Sequence, residues 1–297
     1  MLLSVVLGFG QMPAVSSGKV QRLEKFQSEF VDARNVDIWL PDGYTPTKKY
    51  AVLYMHDGQM LYDSATTWNK QEWGVDEVLG KLIEDRKIRP CIVVGIWNNG
   101  EYRHAEYLPQ RILDSIPPNL HEKILQKQIK GKALSDNYLK FIVQELKPYV
   151  DQHFPTKKGR KSTFIMGSSM GGLISAYALC EYPQIFGGAA CLSTHTPIVL
   201  YEGLDPAVAE VVSGAFRNYL SRNLPGVRNF KLYFDYGSET LDALYKPYQN
   251  QIDAMLRSKG FTAKNWITRE FPGADHSEKA WRARLDIPVL YLMRKKS

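Results

Sequence analysis

The stretch Thr163-Phe164-Ile165-Met166-Gly167-Ser168-Ser169-Met170-Gly171-Gly172 constrains this chain more than any other. An apolar, β-prone run (Phe164, Ile165, Met166) meets a cluster of small residues, and a helix-prone run through Leu173, Ala176, Tyr177, Ala178 and Leu179 follows. The pattern predicts a strand, a sharp turn and a helix. A turn of this kind holds its central residue, Ser169, in strained backbone geometry, and the flanking glycines leave room where a side chain would clash. The Ser169 oxygen then stands exposed above the sheet. The helix behind it aims N–H groups at the place where negative charge would form. An ordinary Gly/Ser-rich turn would need no histidine or acid downstream.

The rest of the chain alternates in a way that suits one sheet. Val36-Asp37-Ile38-Trp39-Leu40 alternates apolar and polar and runs into Pro41-Asp42-Gly43-Tyr44, a strand and then a turn. The continuous apolar runs 50–55 and 90–97 suit buried parallel strands, with an amphipathic helix over 75–87 between them. Further strands are expected at 187–193, 230–236 and 266–271, and helices at 135–150, 206–222, 243–259 and from 277 through 290. The segment 101–131 carries Pro109, Pro117, Pro118, several charges and four rings, and reads as a long lid or binding loop. No repeat or linker interrupts the order. The chain is therefore expected to be α/β: a doubly wound, mostly parallel sheet with helices on both faces and antiparallel N-terminal edges. Residues 26–297 form the single domain, and 1–25 an N-terminal arm or residual signal segment.

Composition excludes several classes. The formal charge of +7, from 38 basic and 31 acidic residues, is spread along the chain without an aromatic-interleaved basic stripe, which argues against nucleic acid. Cys91, Cys180 and Cys191 are an odd number without metal-site spacing, so buried free thiols are expected and neither metal nor cofactor is called for. The apolar run 1–11 is too short to span a bilayer and looks like the end of a secretory segment. A periplasmic or secreted location is expected, with the cytoplasm as the alternative.

Catalytic groups in open parallel sheets gather at the carboxyl ends of the strands. Three such ends carry chemistry here. The first is the Ser169 turn. The second follows the 230–236 strand as Gly237-Ser238-Glu239-Thr240-Leu241-Asp242, and the third follows the last strand as Phe271-Pro272-Gly273-Ala274-Asp275-His276-Ser277. Of six histidines, His276 alone follows the last strand, where a base can take the serine proton. A carboxylate must orient that histidine and stabilise its charged form. Glu239, nearer the strand end, is favoured, and Asp242 is the alternative.

Gly167-Ser168-Ser169-Met170-Gly171, with an acid and then a histidine in that order, resembles the nucleophile elbow and triad of α/β-hydrolases. In that arrangement the Met170 N–H supplies one donor to an oxyanion. The loop His56-Asp57-Gly58-Gln59 supplies the other, through Gln59. Together with Met60-Leu61-Tyr62-Asp63, Glu72-Trp73-Gly74-Val75-Asp76 and Gly273-Ala274-Asp275-His276-Ser277, these stretches resemble the Putative esterase family over about residues 30–292. That family includes esterase D, enterochelin esterases, feruloyl and acetyl esterases, and mycolyltransferases. The resemblance implies an α/β-hydrolase fold and metal-free ester hydrolysis by a serine carboxylester hydrolase.

Trp68, Trp97, Tyr102 and Tyr107 are candidates to line an acyl or sugar pocket, and Arg103 and Arg111 candidates to meet an acidic group. Acetyl or feruloyl esters of carbohydrates are the first expectation for the substrate, a small molecule or oligosaccharide. A catechol siderophore or a thioester is the alternative. A non-catalytic relative that binds a ligand is the reading from another class, and it predicts a lost triad member.

Overall fold

The apolar runs become the centre of one eight-stranded sheet. In the computed structural model, which describes residues 11–199, 205–227 and 230–295, the strands lie in the order β1-β2-β4-β3-β5-β6-β7-β8. They are β1 (Lys19–Phe26), β2 (Arg34–Leu40), β3 (Ala51–His56), β4 (Cys91–Ile96), β5 (Thr163–Ser168), β6 (Gly188–Leu192), β7 (Lys231–Gly237) and β8 (Trp266–Phe271). β1–β2 and β2–β4 pair antiparallel, and every other neighbouring pair is parallel. All residues of β3 to β6 are buried, as expected for strands covered on both faces.

Side chains along these strands alternate between two apolar layers. Val52, Tyr54, Val94 and Ile165 pack into one; Leu53, Met55, Val93 and Met166 pack into the other. Full burial of one such side chain is worth about 1.5–3 kcal/mol. The helices are α1 (Val75–Glu84), α2 (Arg103–Tyr107), α3 (Pro118–Lys127), α4 (Ser135–Lys140), α5 (Lys147–His153), α6 (Met170–Glu181), α7 (Pro206–Asn223), α8 (Lys246–Ser258), α9 (Glu278–Arg282) and α10 (Asp286–Met293). α4 and α5 are joined by a π-helical stretch, Phe141–Leu146, into one run. α6 covers the first layer, while α1 and α10 cover the second.

Four expectations change. The segment 101–131 is not an irregular lid: it holds α2, a 3₁₀ turn (Gln110–Ser115) and α3, and buries Ile112, Leu113, Leu120 and Ile124. Its prolines start helices instead of breaking them, because proline lacks only an N–H that a first turn leaves unpaired anyway. The helix expected over 243–259 is a 3₁₀ turn, Thr240–Leu244, followed by α8. The last helix is split into α9 and α10. β1 begins at Lys19, inside the expected N-terminal arm, and pairs with β2 from Lys19 opposite Leu40. The apolar run 1–11 lies, but for its last residue, outside the described residues.

Candidate active site

β5 runs straight into Ser169, whose backbone sits at φ 56° and ψ −122°, and α6 starts at the next residue. Positive φ at a non-glycine residue is strained. Four backbone bonds hold it there: Ser169 N–H donates to Leu192 O (2.9 Å), and Ser169 O accepts from Gly172 N–H (3.0 Å), His195 N–H (3.2 Å) and Leu173 N–H (3.4 Å). The turn is so tight that a Cβ on Gly167 would stand 2.8 Å from Gly171 O. Met170 is the first residue of α6, so its N–H has no acceptor within the helix.

The strand ends β7 and β8 are docked onto each other. Ser238 and Glu239 N–H both donate to Ala274 O (3.0 Å each), and a Cβ on Gly237 would lie 2.1 Å from that oxygen. Only glycine permits the approach. The contact carries the loop that ends in His276, whose N–H donates to Thr240 Oγ1 (2.9 Å). His276 Nδ1–H donates to Asp242 Oδ1 at 2.5 Å. Asp242 Oδ2 accepts from Ser193 Oγ (2.5 Å) and from Gly237 N–H (2.6 Å). Ser193 Oγ in turn accepts from Trp281 Nε1 (2.9 Å) and Arg284 (2.9 Å). Asp242 is wholly buried, and His276 is half-buried with one edge toward Trp281, ring centroids 5.1 Å apart.

Glu239, the favoured acid, does not face His276. Its carboxylate accepts from Ser238 Oγ (2.9 Å) at an exposed position, and the alternative, Asp242, takes the histidine. The reason is the 3₁₀ turn, which opens at Thr240 with φ 51° and folds residue 242 back beneath Gly237. Nor does Asp242 cap α8, whose N-cap is Tyr245.

The loop after β3 is braced from below. Asp57 has φ 56°, and its carboxylate accepts twice from Arg103, Nε to Oδ1 at 2.7 Å and NH2 to Oδ2 at 2.8 Å, and once from Asn98 Nδ2 at 2.8 Å. Burial opposes charge on Asp57, but the Arg103 guanidinium outweighs it and holds the carboxyl below its usual range. Gln59 lies in the 3₁₀ turn Gly58–Met60 that follows, so its N–H belongs to a first turn without an internal acceptor. Its side-chain Oε1 accepts from Asn98 N–H (3.2 Å), fixing the residue to the end of β4.

The expected pocket residues separate. Trp68 is 83% exposed, on a loop tied to α9 by Asn69 Nδ2 donating to Glu278 Oε2 (2.8 Å) and Lys279 N–H donating to Gln71 Oε1 (3.2 Å). Tyr102 is half-buried, its hydroxyl accepting from Lys132 Nζ (3.1 Å). Trp97 gives its indole N–H to Asp37 (2.9 Å) beneath the Arg22 guanidinium, a structural use. Tyr107 is wholly buried, with its hydroxyl near Asp57 N (3.4 Å), so it supports the loop and has no face open to a ligand. Arg103 is spent on Asp57, and Arg111 pairs with Glu181 (3.0 Å).

The sequence reading passed over two groups behind the turn. His195 Nδ1 meets the Tyr245 hydroxyl at 2.8 Å, and that hydroxyl also meets the Ser169 side chain. Burial pushes His195 down to about 3 and the Tyr245 phenol well up, so both stay neutral near pH 7. His195 comes three residues after β6 and Tyr245 just after the 3₁₀ turn that follows β7, and only the fold brings the two together behind Ser169. Among the described residues no three His, Cys, Asp or Glu side chains gather as a metal site would require, and no helix is long and apolar enough to cross a membrane.

Sheet order, elbow and strand-end carboxylate–histidine pair define the α/β-hydrolase fold. The family model described as Putative esterase matches residues 28–291, and the chain belongs to that family. Bacillus subtilis YjcH, itself uncharacterized, is 26% identical over 59% of this chain and 61% of its own length. An endo-1,4-β-xylanase/feruloyl esterase of Xylanibacter ruminicola is 26% identical over 61% of this chain and 22% of that protein. The chain thus spans less than two thirds of either. Among solved structures, a ferulic acid esterase of Anaeromyces mucronatus superposes with a TM-score of 0.63 at 18% identity, covering 95% of this chain and 93% of the other. The enterobactin esterase of Shigella flexneri gives 0.68 at 17% identity, covering 96% and 61%. At these identities the superpositions speak for the fold.

Proposed function

We propose that the chain hydrolyses carboxylic esters through Ser169 as nucleophile, His276 as general base and Asp242 as the acid that orients it. The observation that carries this is the 2.5 Å contact of His276 Nδ1 with Asp242, whose other oxygen is held by Ser193 and Gly237. With Nδ1–H committed to Asp242, the lone pair of His276 is on Nε2, the nitrogen that must accept the serine proton. Ser169 Oγ attacks the acyl carbon as His276 takes its proton. The carbonyl electrons move onto the oxygen, where the N–H groups of Met170 and Gln59 receive the negative charge. His276 then protonates the leaving alcohol. Water, deprotonated by the same nitrogen, cleaves the acyl-enzyme and restores Ser169.

The substrate proposed is an acetyl or feruloyl ester of a carbohydrate. The named activity of the Xylanibacter relative supports it, as does Trp68, an exposed flat ring on a loop pinned to α9, where a sugar or aromatic acyl group can stack. Export, expected from the run 1–11, accords with a polymeric substrate. Initial rates on p-nitrophenyl acetate, methyl ferulate, acetylated xylan, a catechol-siderophore trilactone and an acyl thioester test the reading. The expected result is fastest turnover on the carbohydrate esters and a loss of about six orders of magnitude in Ser169→Ala. Preference for the trilactone or thioester would move the substrate class. Turnover of none would favour a ligand-binding relative.

A further inference from the structure

The pole of the molecule opposite Ser169 is strongly basic. The segments leading into β4, β5, β7 and β8, with the end of α10, enclose a cleft of about 1410 Å³ at the amino edge of the parallel sheet. Arg89, Lys161, Lys231, Lys264, Arg294 and Lys295 line it, and among the described residues no carboxylate does. A smaller cleft of about 370 Å³ shares Lys231, Lys264 and Arg294 with it and adds Arg269, again without a carboxylate among the described residues. Lys161, Lys264, Arg294 and Lys295 are all exposed. Cations in one concavity repel one another, and low-dielectric walls strengthen that field. Helix ends explain part of the cluster: Arg294 and Lys295 follow the last turn of α10, where cations offset the dipole. Lys161 lies in the short 3₁₀ turn Arg160–Ser162 just before β5, while Lys264, six residues beyond α8, is outside the reach of a helix end.

We propose that this cleft is a second, non-catalytic binding site for a linear acidic polysaccharide, whose carboxylates meet the row of Lys and Arg side chains. Its concave shape selects this occupant among polyanions. Phe164 and Phe230 are only 3% and 5% exposed, so they offer no open ring on which nucleic-acid bases could stack. The cations surround a concavity and do not stand on a convex face, so a flat bilayer would meet only its rim. A single sugar chain can lie along the floor. The site is independent of the Ser169 chemistry, and would hold a charged polymer while its esters are presented elsewhere on the molecule.

The test is titration of the full chain with polygalacturonate at low salt and at about 0.5 M NaCl, where charges are screened within about 4 Å. Two double variants with the same change in net charge are compared: Lys161→Glu with Lys264→Glu in the cleft, and Lys19→Glu with Lys127→Glu away from it. Melting temperature and p-nitrophenyl acetate hydrolysis verify that each is folded, and Lys161→Gln with Lys264→Gln replaces the first pair if it is not. Binding is expected to weaken about tenfold or more in the cleft variant, to change little in the distant one, and to vanish at high salt. Equal weakening in both variants overturns the proposal, as does a wild type that fails to bind polygalacturonate. So does a thymidine oligonucleotide or phosphatidylserine vesicles bound as tightly with the same dependence on Lys161 and Lys264.

Discussion

Asp242 and Glu239 are three residues apart, follow the same strand and carry the same group, yet their surroundings make them unlike. Asp242 is wholly buried with partners on both oxygens; Glu239 is exposed beside Ser238. Asp242→Asn is expected to lower turnover by about four orders of magnitude, because an amide can hold the wrong imidazole tautomer. It also leaves part of the Ser193–Gly237 arrangement unpaired, at about 1–3 kcal/mol. Glu239→Gln should change neither rate nor melting temperature appreciably. Steady-state rates and thermal melts of the pair check this, and the reverse pattern would return the acid to Glu239. The distinction could not be read from the sequence. Nearness to the strand end favours Glu239, and only the positive φ of Thr240 and the turn it opens reverse the order. Ser193, Trp281 and Arg284 were equally hidden, since they meet across separations of 49 to 91 residues.

At the scale of elements, what was legible came from local pattern. Apolar runs marked β3, β4 and β5, and the Gly-Ser cluster marked the elbow before α6, because burial on both faces and a tight turn each leave a signature in consecutive residues. The segment 101–131 has an irregular sequence pattern because its prolines stand at helix starts, where they look like breakers. That segment supplies the brace of the loop that carries Gln59, the proposed oxyanion donor. Arg103, from α2, grips Asp57 one turn from Gln59, and removing one partner of such a pair strands the other charge. Arg103→Gln is expected to cost about 3 kcal/mol of stability, near the lower end for a buried pair since Arg103 is partly exposed. If the Gln59 N–H loses its aim, turnover falls by about a hundredfold. KM for a small aryl ester should stay nearly constant, and a kcat–KM split together with a melting curve checks both parts.

For the whole molecule, two buried histidines couple folding to pH. Burial pushes His56 and His195 each down to about 3 from 6.5, so both remain neutral in the folded chain. The unfolded chain takes up these protons below about pH 6.5, so it binds more protons than the folded chain between about 3 and 6.5. Stability therefore rises with pH across that window and is lost on acidification, by about 2 kcal/mol per histidine between pH 6.5 and 5. Thermal melts from pH 7.5 to 5 should show the decline, with a shallower slope in His195→Asn. The most direct measurement addresses Ser169, the proposed nucleophile, at the carboxyl edge of the sheet. Diisopropyl fluorophosphate is added to the wild type, Ser169→Ala and Asp242→Asn, and intact mass and peptide mapping are recorded. The expected result is one phosphoryl adduct on the wild type, mapped to Ser169, no adduct on Ser169→Ala, and slow labelling of Asp242→Asn. An adduct on another residue, or undiminished labelling of Ser169→Ala, would contradict the assignment of Ser169 as the nucleophile.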